Sequence, residues 1–189
     1  MKKSVVIFIS GAGSNMKFLI KSMDLDHPGY PKLVVSNNKE AKGLNIASQF
    51  NVSTKYIPNE SFEKNFISFT EKDEPDLICL AGFMKILSPN FINRYKNKIL
   101  NIHPSLLPKY KGLRTHERAI ASKEEITGCT VHVVNENLDD GPILGQSYVS
   151  IDNGDTVSSL TKKVLRKEHI LYPKALRRYL EGKTDYFTV

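Results

Sequence analysis

Short runs of Val, Ile and Leu alternate along this chain with segments whose apolar residues recur at helical spacing. No other feature constrains the fold as strongly. SVVIFI (4–9) reads as a buried strand; SGAGSN and a helix with Met16, Leu19, Ile20 and Met23 on one face follow it. KLVVS (32–36) is a second strand, Ala41 to Phe50 a second helix and TKYIP (54–58) a short third strand. Glu60 to Lys72 carries Phe62, Phe66, Ile67 and Phe69 at near-helical spacing, and DLICLAG (76–82) is the strongest strand signal. Ser88-Pro89 looks like an N-cap with proline at the first helical position, opening a helix to about Lys96. KILNIH (98–103) is the next strand and Thr115 to Lys123 a short helix. Thr130 to Asn135 and Ile143 to Ile151 are close enough across NENLDDGP to form an antiparallel pair. Asp155 to Glu181 is a long C-terminal helix, expected to bend at Pro173. This alternation predicts an α/β fold with a mostly parallel twisted sheet flanked by helices, an antiparallel C-terminal strand pair and a long C-terminal helix.

The chain has 189 residues, which suits one domain with a single sizeable core. No apolar run approaches the ~18 residues that would span a bilayer, so no membrane partner is expected. The apolar stretch near the N-terminus, Val5 to Ile9, is too short for a signal peptide and lacks a small-residue cleavage site, so it reads as a strand. Cys79 and Cys129 both lie in strand-like runs, as buried reduced thiols do, which favours a cytoplasmic location. The formal charge of +7, from 27 basic and 20 acidic residues, favours an anionic partner without naming it. Basic residues such as Lys162, Lys163, Arg166 and Lys167 are spread along helix-like segments. No basic stripe interleaved with aromatics is present, so nucleic-acid binding is not expected.

In open parallel sheets ligands bind beyond the carboxyl ends of the strands. Three polar clusters fall at such ends or in a connection: SGAGSN, NIHPSLLP and NLDDGP. In SGAGSN the glycines permit unusual backbone angles, and Ser14 and Asn15 stand where a helix should begin, an arrangement that suits a phosphate. Met16 occupies the place of the third glycine or alanine of a dinucleotide fingerprint, and no acidic residue ends the second strand. No Gly-Lys-Ser/Thr follows either, so no nucleotide cofactor is expected. A phosphate monoester on a small substrate and a plain strand-to-helix turn with a Ser or Asn cap both remain open.

Of five histidines, His27 looks like a turn residue, His116 and His132 like structural residues of a helix and a strand, and His169 lies next to Glu168 on the last helix. No pair has the spacing of a zinc-binding helix, and no metal is expected. His103 differs in its company. Asn101 stands two residues earlier, so on a strand both side chains share a face, and Pro104 holds His103 extended. An amide donor beside an imidazole suits a carbonyl carbon that becomes a tetrahedral oxyanion. The imidazole can also move a proton near neutral pH. A strand-end histidine satisfied by local backbone is the alternative. Asp139 and Asp140 supply carboxylates that would favour a protonated His103, chelate a metal or cap a turn, and sequence alone does not select between them.

Together SGAGSN, LAGFMKILSP (80–89), NIHPSLLPKYKG (101–112), GCTVHVV (128–134), LDDGP (138–142) and EHILYP (168–173) resemble the phosphoribosylglycinamide formyltransferase family of folate-dependent formyltransferases. The resemblance runs from about Val5 to Pro173. It implies one Rossmann-like formyltransferase domain over residues 1–189. It also implies formyl transfer from the co-substrate 10-formyltetrahydrofolate to the amine of glycinamide ribonucleotide. By the same resemblance Asn101 and His103 bind and protonate the formyl oxygen, and Asp139 raises the histidine pKa. Gly13, Ser14 and Asn15 hold the substrate phosphate, Glu168 lies near its ribose, and the Met84, Lys85, Ile86 and Leu87 backbone, with Asn101, contacts the folate. The stretch Asn59 to Lys64 lacks an arginine that some relatives place near the folate tail. The two small molecules are the expected partners of a monomer or homodimer.

Overall fold

In the computed structural model, which describes residues 1–189, β1 (Lys3–Ile9) is buried from Ser4 onward. The Gly11–Gly13 turn leads from it into α1 (Ser14–Ser22), which buries Asn15, Met16, Leu19 and Ile20. β2 runs over Gly29–Ser36, starting before the predicted Lys32. Pro31 lies inside β2, and the β1–β2 register slips between Val5 and Val6 opposite it. A proline has no N–H to donate, so the ladder bulges there rather than breaking. α2 (Lys42–Gln49), β3 (Ser53–Tyr56), a 3-10 turn (Asn59–Ser61) and α3 (Phe62–Thr70) follow.

β4 (Leu77–Leu80) is wholly buried, and α4 (Pro89–Arg94) starts where Ser88 Oγ accepts the Phe91 N–H. β5 spans Ile99–His103. Two compact units divide the chain, Met1–Leu100 and Asn101–Val189. In the first the strand order is β3-β2-β1-β4, parallel throughout. The start of β5 follows β4 there, Ile78 N–H donating to the Lys98 carbonyl at 2.7 Å. Phe8 anchors this unit's core, meeting Phe62 and Phe66 edge-on at centroid distances of 5.0 and 4.8 Å. Such pairs add about 0.5–1.5 kcal/mol each beyond burial.

In the second unit the rest of β5 precedes α5 (Thr115–Ala121), β6 (Ile126–Val133), β7 (Ile143–Ser150), α6 (Val157–Leu180) and β8 (Phe187–Thr188). β6 and β7 are the antiparallel pair expected, and β8 lies parallel to β7. The β6–β7 register slips between Val131 and His132, opposite Gly145 and Ile143. α6 is one helix of 24 residues that continues through Pro173 and opens with a Thr156–Ser159 capping box. Its buried stripe is apolar except for Glu168. A carboxylate in such a stripe costs desolvation energy.

Candidate active site in the second unit

β5 ends with Asn101 half-buried and His103 buried. The loop beyond His103 is held by polar contacts within its own unit. Thr130 Oγ1 donates to the Ser105 carbonyl at 2.7 Å and accepts the Leu107 N–H at 3.1 Å. Gln146 Nε2 donates to the Leu107 carbonyl at 2.9 Å, and the Leu107–Pro108 peptide is cis. Neither Thr130 nor Gln146 stands out in the sequence, because a polar residue on a strand carries no mark of what it reaches.

The loop then returns to the strand end. The Tyr110 backbone is left-handed at φ 56°, and its carbonyl accepts His103 Nε2–H at 2.9 Å. This bond puts a proton on Nε2, so the titrating ring nitrogen is Nδ1. Nδ1 faces Asp139 Oδ2 at 3.3 Å, with both side chains largely buried. Asp139 is itself left-handed at φ 49°, and its Oδ2 also accepts the Gly112 N–H at 2.9 Å. Beside it Gly141 is obligatory: a Cβ there would lie 1.7 Å from the Val133 carbonyl oxygen. Asp140 turns away and pairs with Lys111. Of the two aspartates the sequence offered, the fold therefore brings Asp139 to His103.

His132, expected to be structural, joins this cluster. Its Nε2 lies 3.2 Å from Asn101 Nδ2 and 3.7 Å from Asp139 Oδ1, while its Nδ1 lies 3.1 Å from the Val133 carbonyl. A carbonyl accepts only, so Nδ1 carries the proton and Nε2 accepts from the Asn101 amide. That bond fixes which way round the amide sits and leaves its second N–H for a ligand. The signal for His132 lies in the β6–β7 bulge, since bulges re-aim side chains beside sites, and a bulge is not readable from one strand.

Two effects oppose each other at His103. Burial holds its imidazole below the usual histidine range, and this prevails over the Tyr110 carbonyl and the Asp139 charge, which both push it up. Burial would raise the Asp139 carboxyl, but the Gly112 N–H and the neighbouring His103 keep it below the ordinary carboxylate value. The resting pair is thus a neutral imidazole beside an ionised carboxylate. Glu168 is buried on α6; burial of Cys129, and then the charge of Glu168, push that thiol's pKa upward.

The remaining expected residues lie in the first unit. Gly13 is left-handed at φ 72°, and a Cβ on it would meet Met16 Cε at 2.7 Å and Gly43 Cα at 2.8 Å. The N-cap of α1 is Gly13, which has no side chain to cap with, so a Ser or Asn does not hold the cap position of this turn. Asn15 is buried and Ser14 half-buried. Of the Met84–Leu87 segment, Met84 and Ile86 are exposed and Leu87 is buried. Lys85, Ile86 and Leu87 line a cavity of about 540 Å³ together with Phe62, Glu63 and Lys64.

The formyl transferase family model matches residues 3–176. A trifunctional purine biosynthetic protein adenosine-3 from Chironomus tentans is 44% identical over 96% of this chain, which spans only 14% of that relative's length. Phosphoribosylglycinamide formyltransferase from Escherichia coli is 37% identical, over 95% of this chain and 88% of that protein. The crystal structure of phosphoribosylglycinamide formyltransferase from Brucella melitensis superposes with a TM-score of 0.91 at 43% identity, over 96% of this chain and 97% of that one. With its strand-end Asn-x-His and with relatives aligned along nearly its whole length, the chain belongs to the formyl transferase family.

Proposed function

We propose that this chain transfers the formyl group of 10-formyltetrahydrofolate to the amine of N1-(5-phospho-D-ribosyl)glycinamide, giving the formylated ribonucleotide and tetrahydrofolate. The observation that carries the reading is the Asn101–His103–Asp139 cluster in a member of this family. Its relatives named for that activity align along nearly the whole of this chain.

The substrate amine attacks the formyl carbon, a C–N bond forms, and the carbonyl oxygen becomes an oxyanion. Asn101 offers the oxyanion its second amide N–H. His103 offers Nδ1–H, once protonated, since Nδ1 is the ring nitrogen left over by the Tyr110 bond. Asp139 and the oxyanion are two negative neighbours for that imidazole, and together they oppose the burial that keeps it neutral at rest. The intermediate then collapses: the bond to the folate nitrogen breaks, and the proton lost by the amine is returned to that nitrogen. His103 is the group that relays it. The uncapped start of α1 and the Gly13 turn suit the substrate phosphate, with Gly13, Ser14 and Asn15 as its ligands and Glu168 as the carboxylate for the ribose hydroxyls. The exposed Met84 and Ile86 and the cavity along Lys85–Leu87 suit the folate. The reading treats residues 1–189 as one functional domain and requires neither a metal nor a nucleotide cofactor.

The test mixes purified protein with 10-formyltetrahydrofolate, with and without the ribonucleotide, and follows tetrahydrofolate by absorbance. Release that depends on the ribonucleotide supports the transferase. Release without it would make the protein a hydrolase, and none in either case would refute formyl chemistry on this acceptor.

A further inference from the structure

Ser10 directly follows β1 and stands immediately before the Gly11–Gly13 turn, and each of its polar groups is engaged. Its N–H donates to the Gly82 carbonyl at 3.1 Å, and its own carbonyl accepts Asn38 Nδ2–H at 3.2 Å. Its hydroxyl donates to Asn37 Oδ1 at 2.6 Å and accepts the Met84 N–H at 2.8 Å. The Asn37 amide carries the chain on, donating from Nδ2 to Asn59 Oδ1 at 3.1 Å, next to the residues that line the cavity. One hydroxyl thus joins the turn read as the phosphate site to the segment read as the folate site, and all of these residues lie within the first unit.

The segment that Ser10 holds lies outside any helix or strand, although the Ala81 N–H donates to the Phe8 carbonyl at 2.9 Å and Phe83 packs on Phe8 and Phe62. Gly82 is left-handed at φ 71°, no helix or strand covers residues 81–88, and the far anchor is Glu63, whose carboxylate accepts the Ser88 N–H and hydroxyl. Fixing one end of an irregular segment that is held at separate points lowers the cost of ordering the other. We infer that Ser10 is a positioning residue that makes the two substrates bind cooperatively, each tightening the other through the Ser10 hydroxyl. This rests on the proposed function and adds a coupling to it. The linkage is reciprocal, so the ribonucleotide must strengthen folate binding by the factor with which the folate strengthens ribonucleotide binding.

The experiment is calorimetric titration of tetrahydrofolate into the protein, alone and with saturating glycinamide ribonucleotide, a pair that cannot react together. Wild-type protein should bind tetrahydrofolate at least ~5-fold more tightly when the ribonucleotide is present, the low end of a typical coupling. Ser10→Ala should weaken tetrahydrofolate alone by roughly 5- to 10-fold, the effect of one lost hydrogen bond. It should also bring the coupling to within about twofold of none, while Ser10→Thr, which keeps the hydroxyl, retains it. The pH dependence of turnover should not move, since His103 keeps its partners. A wild-type protein with no coupling overturns the inference. So does a Ser10→Ala protein that keeps it, or a Ser10→Thr protein as damaged as Ser10→Ala, which would mark a merely structural residue. Should Ser10→Ala not fold, Asn37→Ala carries the test, because it removes the acceptor that orients the hydroxyl, and unchanged coupling there is equally fatal. Failure of the wild type to bind either ligand would instead overturn the proposed function itself.

Discussion

Replacing Asp139 with Asn isolates one electrostatic interaction with little disturbance of shape. Asn is among the few residues at home in a left-handed conformation, and Asp139 sits at φ 49°. The amide oxygen can still accept the Gly112 N–H, so the fold should persist with a melting temperature within ~2 °C of wild type. What disappears is a unit charge 3.3 Å from His103 Nδ1. Coulomb's law gives that charge about 5 kcal/mol at an effective dielectric constant of about 20 and about 1 kcal/mol at that of water. A middle value of ~2.7 kcal/mol, lost from the protonated form, makes the imidazole about 100-fold harder to protonate. Burial already holds this imidazole below its ordinary value, so at neutral pH the protonated fraction should fall ~100-fold and turnover with it. The sign follows from the same linkage: turnover of Asp139→Asn should rise about tenfold per pH unit as the pH falls, until the lowered pKa is reached. Tetrahydrofolate release between pH 5 and 8 measures this. Near-wild-type turnover at neutral pH with an unchanged profile would refute the pairing of Asp139 with a protonated His103.

Three further outcomes test other parts of the account. Gly13→Val forces a branched side chain onto a left-handed residue against Gly43 Cα, so KM for the ribonucleotide should rise more than KM for the folate. Equal rises would argue for a structural turn. Gly141→Ala puts a Cβ 1.7 Å from the Val133 carbonyl oxygen. Overpacking of that kind should cost ~2 kcal/mol or more and lower the melting temperature by roughly 4–8 °C; a shift below about 1 °C would mean the loop moves freely. Burial lowers the imidazole pKa of His103, His116 and His169 below the ordinary value of 6.5, so folding favours their neutral forms. That stabilisation is complete above about pH 6.5 and is lost as the pH falls through the depressed folded values. The urea midpoint should therefore drop between about pH 7 and 5, and drop less in His103→Gln, whereas a flat midpoint would contradict the burial argument.

The parts of this account that were legible in sequence are those set by local rules. Buried parallel strands announce themselves as apolar runs, which is why β1, β4 and β5 fall where DLICLAG and its neighbours put them. Asn101 and His103 were legible as a pair because strand geometry alone sends residues two apart to one face. Asp139 was not, since its carboxylate reaches His103 through a left-handed turn whose direction depends on Gly141 and Val133, and only the resemblance singled it out. His132 escaped because a register slip with β7 aims it. Tyr110 escaped because its backbone carbonyl, rather than its side chain, makes the contact.

Boundaries failed for similar reasons. β6 starts at Ile126 rather than Thr130, because Gly128 looks like a strand breaker and is instead where β7 approaches: a Cβ there would lie 1.9 Å from the Ser147 carbonyl oxygen. β2 likewise extends back through Pro31, which a bulge accommodates. β8 has only two residues and no pattern to read.

Following the formyl group itself tests the central claim most directly. The protein and its His103→Ala variant would each be given 10-formyltetrahydrofolate labelled with carbon-13 in the formyl group, together with glycinamide ribonucleotide, and the label traced by nuclear magnetic resonance. The account predicts that wild-type protein places the label on the ribonucleotide amine, at least ~100-fold faster than the variant, as expected when the general acid is removed. Label recovered as formate, or transferred by His103→Ala at the wild-type rate, would contradict it.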